Sequence, residues 1–431
     1  MNHILRDDRA FSAKWTRLAA WLVLALGLLT PGAYAATTPA LDPALLGAIK
    51  SDTQEGVTVR TSVPDAKQVE AIFGVPVIEK GIQPVWVEIT NGGSEPLWYM
   101  PITTDETYFA PLEVAYRFHD DLDGAVNTAR EARFNSLRMD LVVPPGKTVS
   151  GFVFTHLETG LKFLTFGMLR GDDELEFHFT VPVAGPPYAV QRVDFDKIYP
   201  PDAIKAVDLV GLRAAIEALP CCTTDAKATK NGDPLNLVIV GDGLASIFPF
   251  VSRGWRLTEP LDIHSAVDTT KSFLIGTHYA TSPVSPLYLF GRQQDLALEK
   301  ARNTINERNH LRLWRAPLSF EGHDVWVGQI SRDIGVELTD TSWYLTTHKV
   351  DPDVDFDRDY LLQDLLLSGS VQRFGFASGV GVSPAAHPRV NLTDDPYVTD
   401  GLRLVVLLGV DDDVTDAVDA LAWEAMPADV E

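Results

Sequence analysis

Apolar and polar residues alternate along this chain in two different ways, and the change falls near residue 184. In the first half Leu175, Phe177, Phe179 and Val181 alternate with Glu176, His178 and Thr180. Period-two alternation puts one side of an extended strand in a core and the other in water. Val85-Trp86-Val87-Glu88-Ile89 is rich in β-branched and aromatic residues; Asn91-Gly92-Gly93 is a turn, and Leu97-Trp98-Tyr99-Met100 returns. Pro144-Pro145-Gly146 then precedes a further run from Thr148 to Thr155. The pattern predicts an all-β, sandwich-like module over residues 57–183.

Ala184-Gly185-Pro186-Pro187 and Pro200-Pro201 bracket a stretch that proline keeps from being one regular element, so residues 184–206 read as a linker. Beyond it the rhythm changes. Val207 to Leu219 places Leu209, Leu212, Ile216 and Leu219 on one side of a helix. Leu235 to Val240 is a continuous apolar run of strand length that enters Gly241-Asp242-Gly243 and a helical segment from Leu244 to Val251. An unalternating strand is one covered on both faces, which predicts an α/β module with a mixed sheet, or an α+β one, over 207–410. Further strands are expected at 287–290, 310–314, 325–330, 343–347, 373–377 and 402–408, and helices at 295–306 and 355–367. Residues 411–431 hold eight acids and no base, and read as an acidic, solvated tail.

Composition adds the compartment. A basic stretch ending at Arg17, an apolar run from Leu18 to Leu29 and Ala33-Tyr34-Ala35 read as a signal peptide over 1–35 followed by a linker over 36–56. The expected location is the periplasm or the outside of the cell, or an N-terminal membrane anchor if the leader stays on. The 431 residues carry a formal net charge of −23, a field that repels nucleic acid and anionic lipid surfaces. The two cysteines, Cys221 and Cys222, are adjacent. Buried thiols, a vicinal disulfide, and a link to another chain or a metal are the alternatives that adjacency leaves.

Asp233-Pro234-Leu235-Asn236-Leu237-Val238, Arg253-Gly254-Trp255, the run from Ser282 to Arg292, Asn309-His310-Leu311-Arg312-Leu313-Trp314 and His348-Lys349-Val350-Asp351-Pro352-Asp353 occur in that order. Together they resemble the LssY C-terminal domain family. The family takes its name from a protein linked to a type I secretion locus. In larger relatives a similar domain follows membrane segments of the DedA and phosphatidic-acid-phosphatase types. The resemblance implies work at the cell envelope, and it brings no catalytic residues with it.

Two clusters carry candidate chemistry. Between Arg292 and Arg315 six basic residues face three acids, in a chain that is otherwise strongly acidic. On a strand, His310, Arg312 and Trp314 share a face, and Arg292, Arg312, Arg315 and Trp314 are the expected ligand-binding set for a phosphate or carboxylate. The competing reading pairs these arginines with the protein's own acids. The second cluster is Asp351-Pro352-Asp353-Val354-Asp355-Phe356-Asp357-Arg358-Asp359, preceded by His348. The match to a calcium loop then fails, because Phe356 and Leu362 stand where its glycine and bidentate glutamate belong. His348, Asp351, Asp353 and Asp355 are the candidate ligands of a divalent metal, while acids before a helix also serve as N-caps.

His310, His348 and Asp333 are the catalytic candidates, on or beyond predicted strand ends. His278 and Asp242 stand behind them. There is no H-E-x-x-H, no G-x-S-x-G elbow and no phosphate-binding loop. Trp255, Trp314 and Trp326 line a pocket or fill a core. The function expected is recognition of an anionic small ligand, a lipid headgroup or an envelope or membrane-protein partner, and not nucleic acid. The alternatives are a metal-dependent phosphoester hydrolase and a purely structural assembly component.

Overall fold

The computed structural model describes residues 41–185, 191, 193–243, 245–258, 287–301, 307–338, 346–409 and 418–425. The leader expected at 1–35 and His278 lie outside them, as do most of the acidic tail and the first part of the strand expected at 343–347. Among the described residues no helix is long and apolar enough to cross a membrane.

The first module contains eight strands: β1 Lys50–Gln54, β2 Val57–Ser62, β3 Ile82–Asn91, β4 Leu97–Met100, β5 Val142–Val143, β6 Thr148–His156, β7 Leu161–Arg170 and β8 Asp173–Pro182. They form two four-stranded sheets in the orders β1-β2-β3-β6 and β5-β4-β7-β8. The alternation read from the sequence explains the core between them: Val85, Val87 and Ile89 of one sheet meet Phe166, Leu175, Phe177 and Phe179 of the other. On the outer face of the first sheet Trp86, Phe152 and Phe154 receive helices α1 Ala66–Phe73, α3 Pro111–Tyr116 and α4 Gly124–Ser136, while the short α2 Pro101–Thr104 follows β4. The sandwich therefore has a helical cover. A capping box at Asp65 and Gln68 starts α1, and Gly74 in the left-handed region ends it. Lys50–Gln54, inside the span read as linker, pairs with β2 as the edge strand of its sheet.

The second module contains β9 Lys205–Val207, α5 Leu209–Glu217, β10 Cys222–Thr224, β11 Asn231–Pro234, β12 Leu237–Val240, α6 Phe248–Ser252, β13 Arg256–Leu257, β14 Tyr288–Leu289, β15 Arg292–Gln293, β16 Leu296–Ala301, β17 Arg308–Phe320, β18 His323–Leu338, β19 Thr346–Val350, α7 Val354–Leu366, β20 Val371–Ala377, β21 Arg389–Val390, β22 Pro396–Tyr397, β23 Arg403–Leu408 and β24 Asp419–Leu421. Ten of these strands build one mixed sheet in the order β13-β16-β17-β18-β12-β23-β20-β24, with β9 and β19 joined at its margins. The continuous apolar strand β12 lies at its centre, antiparallel to β18 and parallel to β23, buried on both faces as its composition requires.

Three expectations are corrected here. Residues 295–306 were expected to be a helix on propensity, but Leu296–Ala301 is a strand, because pairing with β17 puts Leu296 and Leu298 into the core and tertiary packing overrides the preference of Leu, Ala, Glu and Lys. The stretch read as linker is packed down: Phe195 lies edge-on to Trp326, and Lys205–Val207 pairs with β17. Asp419–Leu421, in the expected tail, pairs in parallel with β20 and buries Leu421. Cys221 and Cys222 form a vicinal disulfide.

Candidate functional site

Strands β16, β17 and β18 have two unlike faces. Leu298, Leu311, Leu313 and Ile330 point into the core cluster that also takes in α7. On the opposite face directly paired residues bring charge together, since residues opposite each other in an antiparallel ladder share a face: Glu299 faces His310, His310 faces Ser331, and Arg312 faces Gln329. Farther along this face the character reverts to apolar, where Trp314, Val327 and Val238 belong to a second core under α5.

The polar end of this face is buried. His310 donates or accepts through Nε2 at 2.7 Å from Asp333 Oδ2, and Arg308 Nη1 donates to Glu299 Oε2 at 2.7 Å. Arg308 Nε lies 3.6 Å from the same Asp333 oxygen. Burial lowers the His310 pKa to about 4, with the neighbouring arginines adding to the effect against the pull of Asp333, so the imidazole is neutral at pH 7. From β11, Asp233 accepts from Asn391 Nδ2 at 3.0 Å, and burial pushes its carboxyl above the usual range although Arg312 opposes this. Lys349 Nζ donates to Asp395 Oδ1 at 3.0 Å on the rim.

Arg312 stands apart within this layer. It is 7% exposed, and among the described residues its one hydrogen bond runs from Nη1 to Gln329 Oε1 at 2.8 Å. Its Nε and the Gln329 Nε2 are buried with no partner among the described residues. A guanidinium offers five donors, so most of its capacity is unspent. Asp233 and Asp333 act on it only through space, and burial lowers its pKa.

The other expected ligand-binding residues are committed elsewhere. Arg292 grips Asp295 with Nε at 2.9 Å and Nη2 at 2.8 Å, and reaches Tyr199 at 2.8 Å. Arg315 donates to Asp324 at 2.5 Å and to the Phe195 carbonyl at 2.6 Å. These two arginines fasten the inter-module stretch to the sheet, which is the self-pairing alternative. Trp314 is wholly buried in the core and donates to the Arg292 carbonyl, so it lines no ligand site; Trp255 and Trp326 are equally buried.

The aspartate run is likewise spent locally. Asp353 is the N-cap of α7 and accepts from the amides of Asp355 and Phe356, while Asp351 accepts from the amide of Asp353. Asp355 accepts from Thr399 at 2.7 Å and from the Asp400 amide at 2.5 Å, and holds Arg358 at 3.2 Å. Burial raises its pKa to about 6. Among the described residues no group of three or more His, Cys, Asp or Glu is placed to hold a metal ion. His348 lies on β19 opposite Val336, and its side chain is outside the described residues.

The structure therefore joins His310, Asp333 and Arg312, and separates them from Arg292, Arg315, Asp353 and Asp355. Sequence reasoning missed Gln329, Asp233, Glu299 and Arg308. Gln329 had a usable signal, a polar residue inside the otherwise apolar Val325–Ile330 run.

Residues 214–402 match the family described as LssY C-terminus. The match runs from within α5 to the start of β23's approach and covers every residue of the polar layer. No curated protein matches the sequence.

Proposed function

We propose that the second module is a binding module for a small anionic group, phosphate or carboxylate, held by Arg312 and Gln329 at the polar end of the large sheet. One observation carries this reading: a buried guanidinium with Nε unpartnered beside a buried amide with Nε2 unpartnered. A buried charge with buried donors left unmatched is costly, and an oxyanion would accept from both groups in the bidentate manner that arginine favours. Asp233 and Asp333 flank the site and set its selectivity, since a protonated Asp233 donates to an oxyanion while an ionised one repels it. The hydrolase alternative rests on the His310–Asp333 pair alone, a neutral imidazole oriented by a carboxylate.

The test is thermal and calorimetric titration of the full chain with inorganic phosphate, pyrophosphate and citrate. Binding to the native state at 100 times Kd raises stability by about 2.7 kcal/mol. The expected outcome is saturable stabilisation by at least one of these anions, lost in Arg312→Gln. No stabilisation by any of the three, or stabilisation undiminished in Arg312→Gln, would overturn the reading.

A further inference from the structure

A cleft of 840 Å³ lies between the two modules, away from the Arg312 layer. Its size is within the range of about 300–1,000 Å³ typical of small-molecule sites, and a junction between modules is where such sites concentrate. One wall comes from the ends of β6 and β7, the other from the loop after β12 and α6.

On the first wall stands a carboxylate–imidazole pair. Asp105 Oδ2 accepts from the His156 amide at 2.7 Å and lies 2.9 Å from its Nδ1, while Asp105 Oδ1 accepts from the Thr107 amide at 3.0 Å. These bonds fix the carboxylate and orient the half-exposed imidazole with Nδ1 toward Asp105, so that Nε2 is the ring nitrogen left for a ligand. Below it Lys162, almost wholly buried, donates to the His156 carbonyl at 2.9 Å with Glu158 3.7 Å away. Burial raises the pKa of Glu158 and lowers that of Lys162, a perturbed pair of the kind that gathers at functional sites. On the second wall Ser246 is 8% exposed, and its hydroxyl, lodged near Gly241, has no partner among the described residues.

The charge and hydroxyl content give the chemistry. The lining acids Asp105, Glu106, Glu158, Glu174, Glu176 and Asp242 outnumber the fixed cations Lys162, Arg253 and Arg256, and Arg253 is already paired with Asp364. An anionic ligand is disfavoured there. Threonine and serine hydroxyls, among them Thr103, Thr165 and Ser370, are interleaved with the acids, and the exposed side chains of Ile102 and Leu367 supply an apolar patch. Closely spaced acceptors and hydroxyls beside an apolar patch suit a polyol whose C–H faces stack and whose hydroxyls need many partners. We propose that this cleft binds an amino-sugar oligosaccharide, its ammonium groups answering the excess of carboxylates and its hydroxyls bonded by His156 Nε2, Ser246 and the flanking acids.

The experiment is calorimetric titration of the full chain with the β-1,4-linked glucosamine tetrasaccharide, its N-acetylated counterpart, a galacturonate tetrasaccharide and spermidine. The glucosamine tetrasaccharide should saturate, the galacturonate should not bind, and spermidine should compete only weakly. His156→Ala and the surface variant Glu106→Gln, checked for an unchanged unfolding transition, should each weaken binding, His156→Ala by about tenfold or more. Arg312→Gln should leave it unchanged, which separates this site from the anion site. Absence of saturable binding at low millimolar glucosamine tetrasaccharide, equal competition by spermidine, or binding indifferent to both cleft variants would overturn the assignment.

Discussion

Two arginines in the second module are buried to a similar degree and live under opposite conditions. Arg358, at the start of α7, is fully buried; it takes Asp400 with two nitrogens at 2.9 and 3.1 Å, Asp359 at 2.9 Å and Asp355 at 3.2 Å, and lies over the Phe376 ring. Arg312, on β17, has a single amide partner among the described residues. Against the cost of burial, the Asp400 and Asp355 carboxylates raise the Arg358 pKa above its ordinary value, whereas burial dominates at Arg312 and lowers it. A buried charge surrounded by fixed acceptors is part of the scaffold. One left with unused donors is where a ligand can supply what the fold does not.

The largest effect should come from breaking the first arrangement. Arg358→Ala strands Asp355 and Asp400, part-buried carboxylates that also tie the Thr399–Leu402 turn to α7. Removal of one partner from a buried pair typically costs about 3–5 kcal/mol. Urea denaturation of the full chain should show a loss of that order, and a loss below about 1 kcal/mol would show that the network does not hold the helix in place.

Protonation should separate the two regions next. Asp357, 1% exposed, donates nothing and holds Arg332 at 3.1 Å, yet burial raises its pKa from 3.8 to about 7. The folded state then keeps a proton that the unfolded chain has lost, so the stability Asp357 contributes is complete below about pH 4 and disappears as the pH rises through 7. His310 runs the other way: its pKa falls from 6.5 to about 4, so its contribution is complete above about pH 6.5 and is lost as the pH falls through 4. Between these limits the slopes oppose each other. Measured as the difference from the native chain, which cancels the like contribution of Asp355, stability should rise from pH 4 to 6.5 in Asp357→Asn and fall in His310→Gln, each by on the order of 2 kcal/mol from urea unfolding across that range. Parallel pH profiles in the two variants would contradict the assignment.

What was legible in the sequence follows from how locally each feature is determined. The strands of the sandwich and β12 were readable because a buried face writes its period directly into neighbouring residues. The strand at Leu296–Ala301 was not, since Leu-Ala-Leu-Glu-Lys-Ala suits either element and only the partner β17 decides it. The same holds for the site. The co-facial placement of His310 and Arg312 follows from β17 alone. That Arg315 would be consumed by Asp324 and Phe195, while Arg312 would meet only Gln329, depends on the strand register and on chain brought in from more than a hundred residues away. The capping role of Asp353 was foreseeable, because an acid before a helix has a local use; Asp400 as the partner of Arg358 was not.

The smallest effect on stability is the most informative. In Arg312→Gln the fold loses a guanidinium that gives one bond for the desolvation of a full charge, and Gln329 Oε1 can accept from the new amide. Arg308 stays in place to balance Glu299 and Asp333, and Asp233 loses only a through-space attraction, so among the described residues no carboxylate in the layer loses an ion-pair partner within 4 Å. Stability without added anion should therefore stay within about 1 kcal/mol of the native chain, several times less than the loss from Arg358→Ala. The two variants measured side by side decide whether burial or partnership sets the worth of an arginine here. If Arg312→Gln proves as damaging as Arg358→Ala, Arg312 is scaffold like its counterpart, and the unspent donors on β17 hold no place for a ligand.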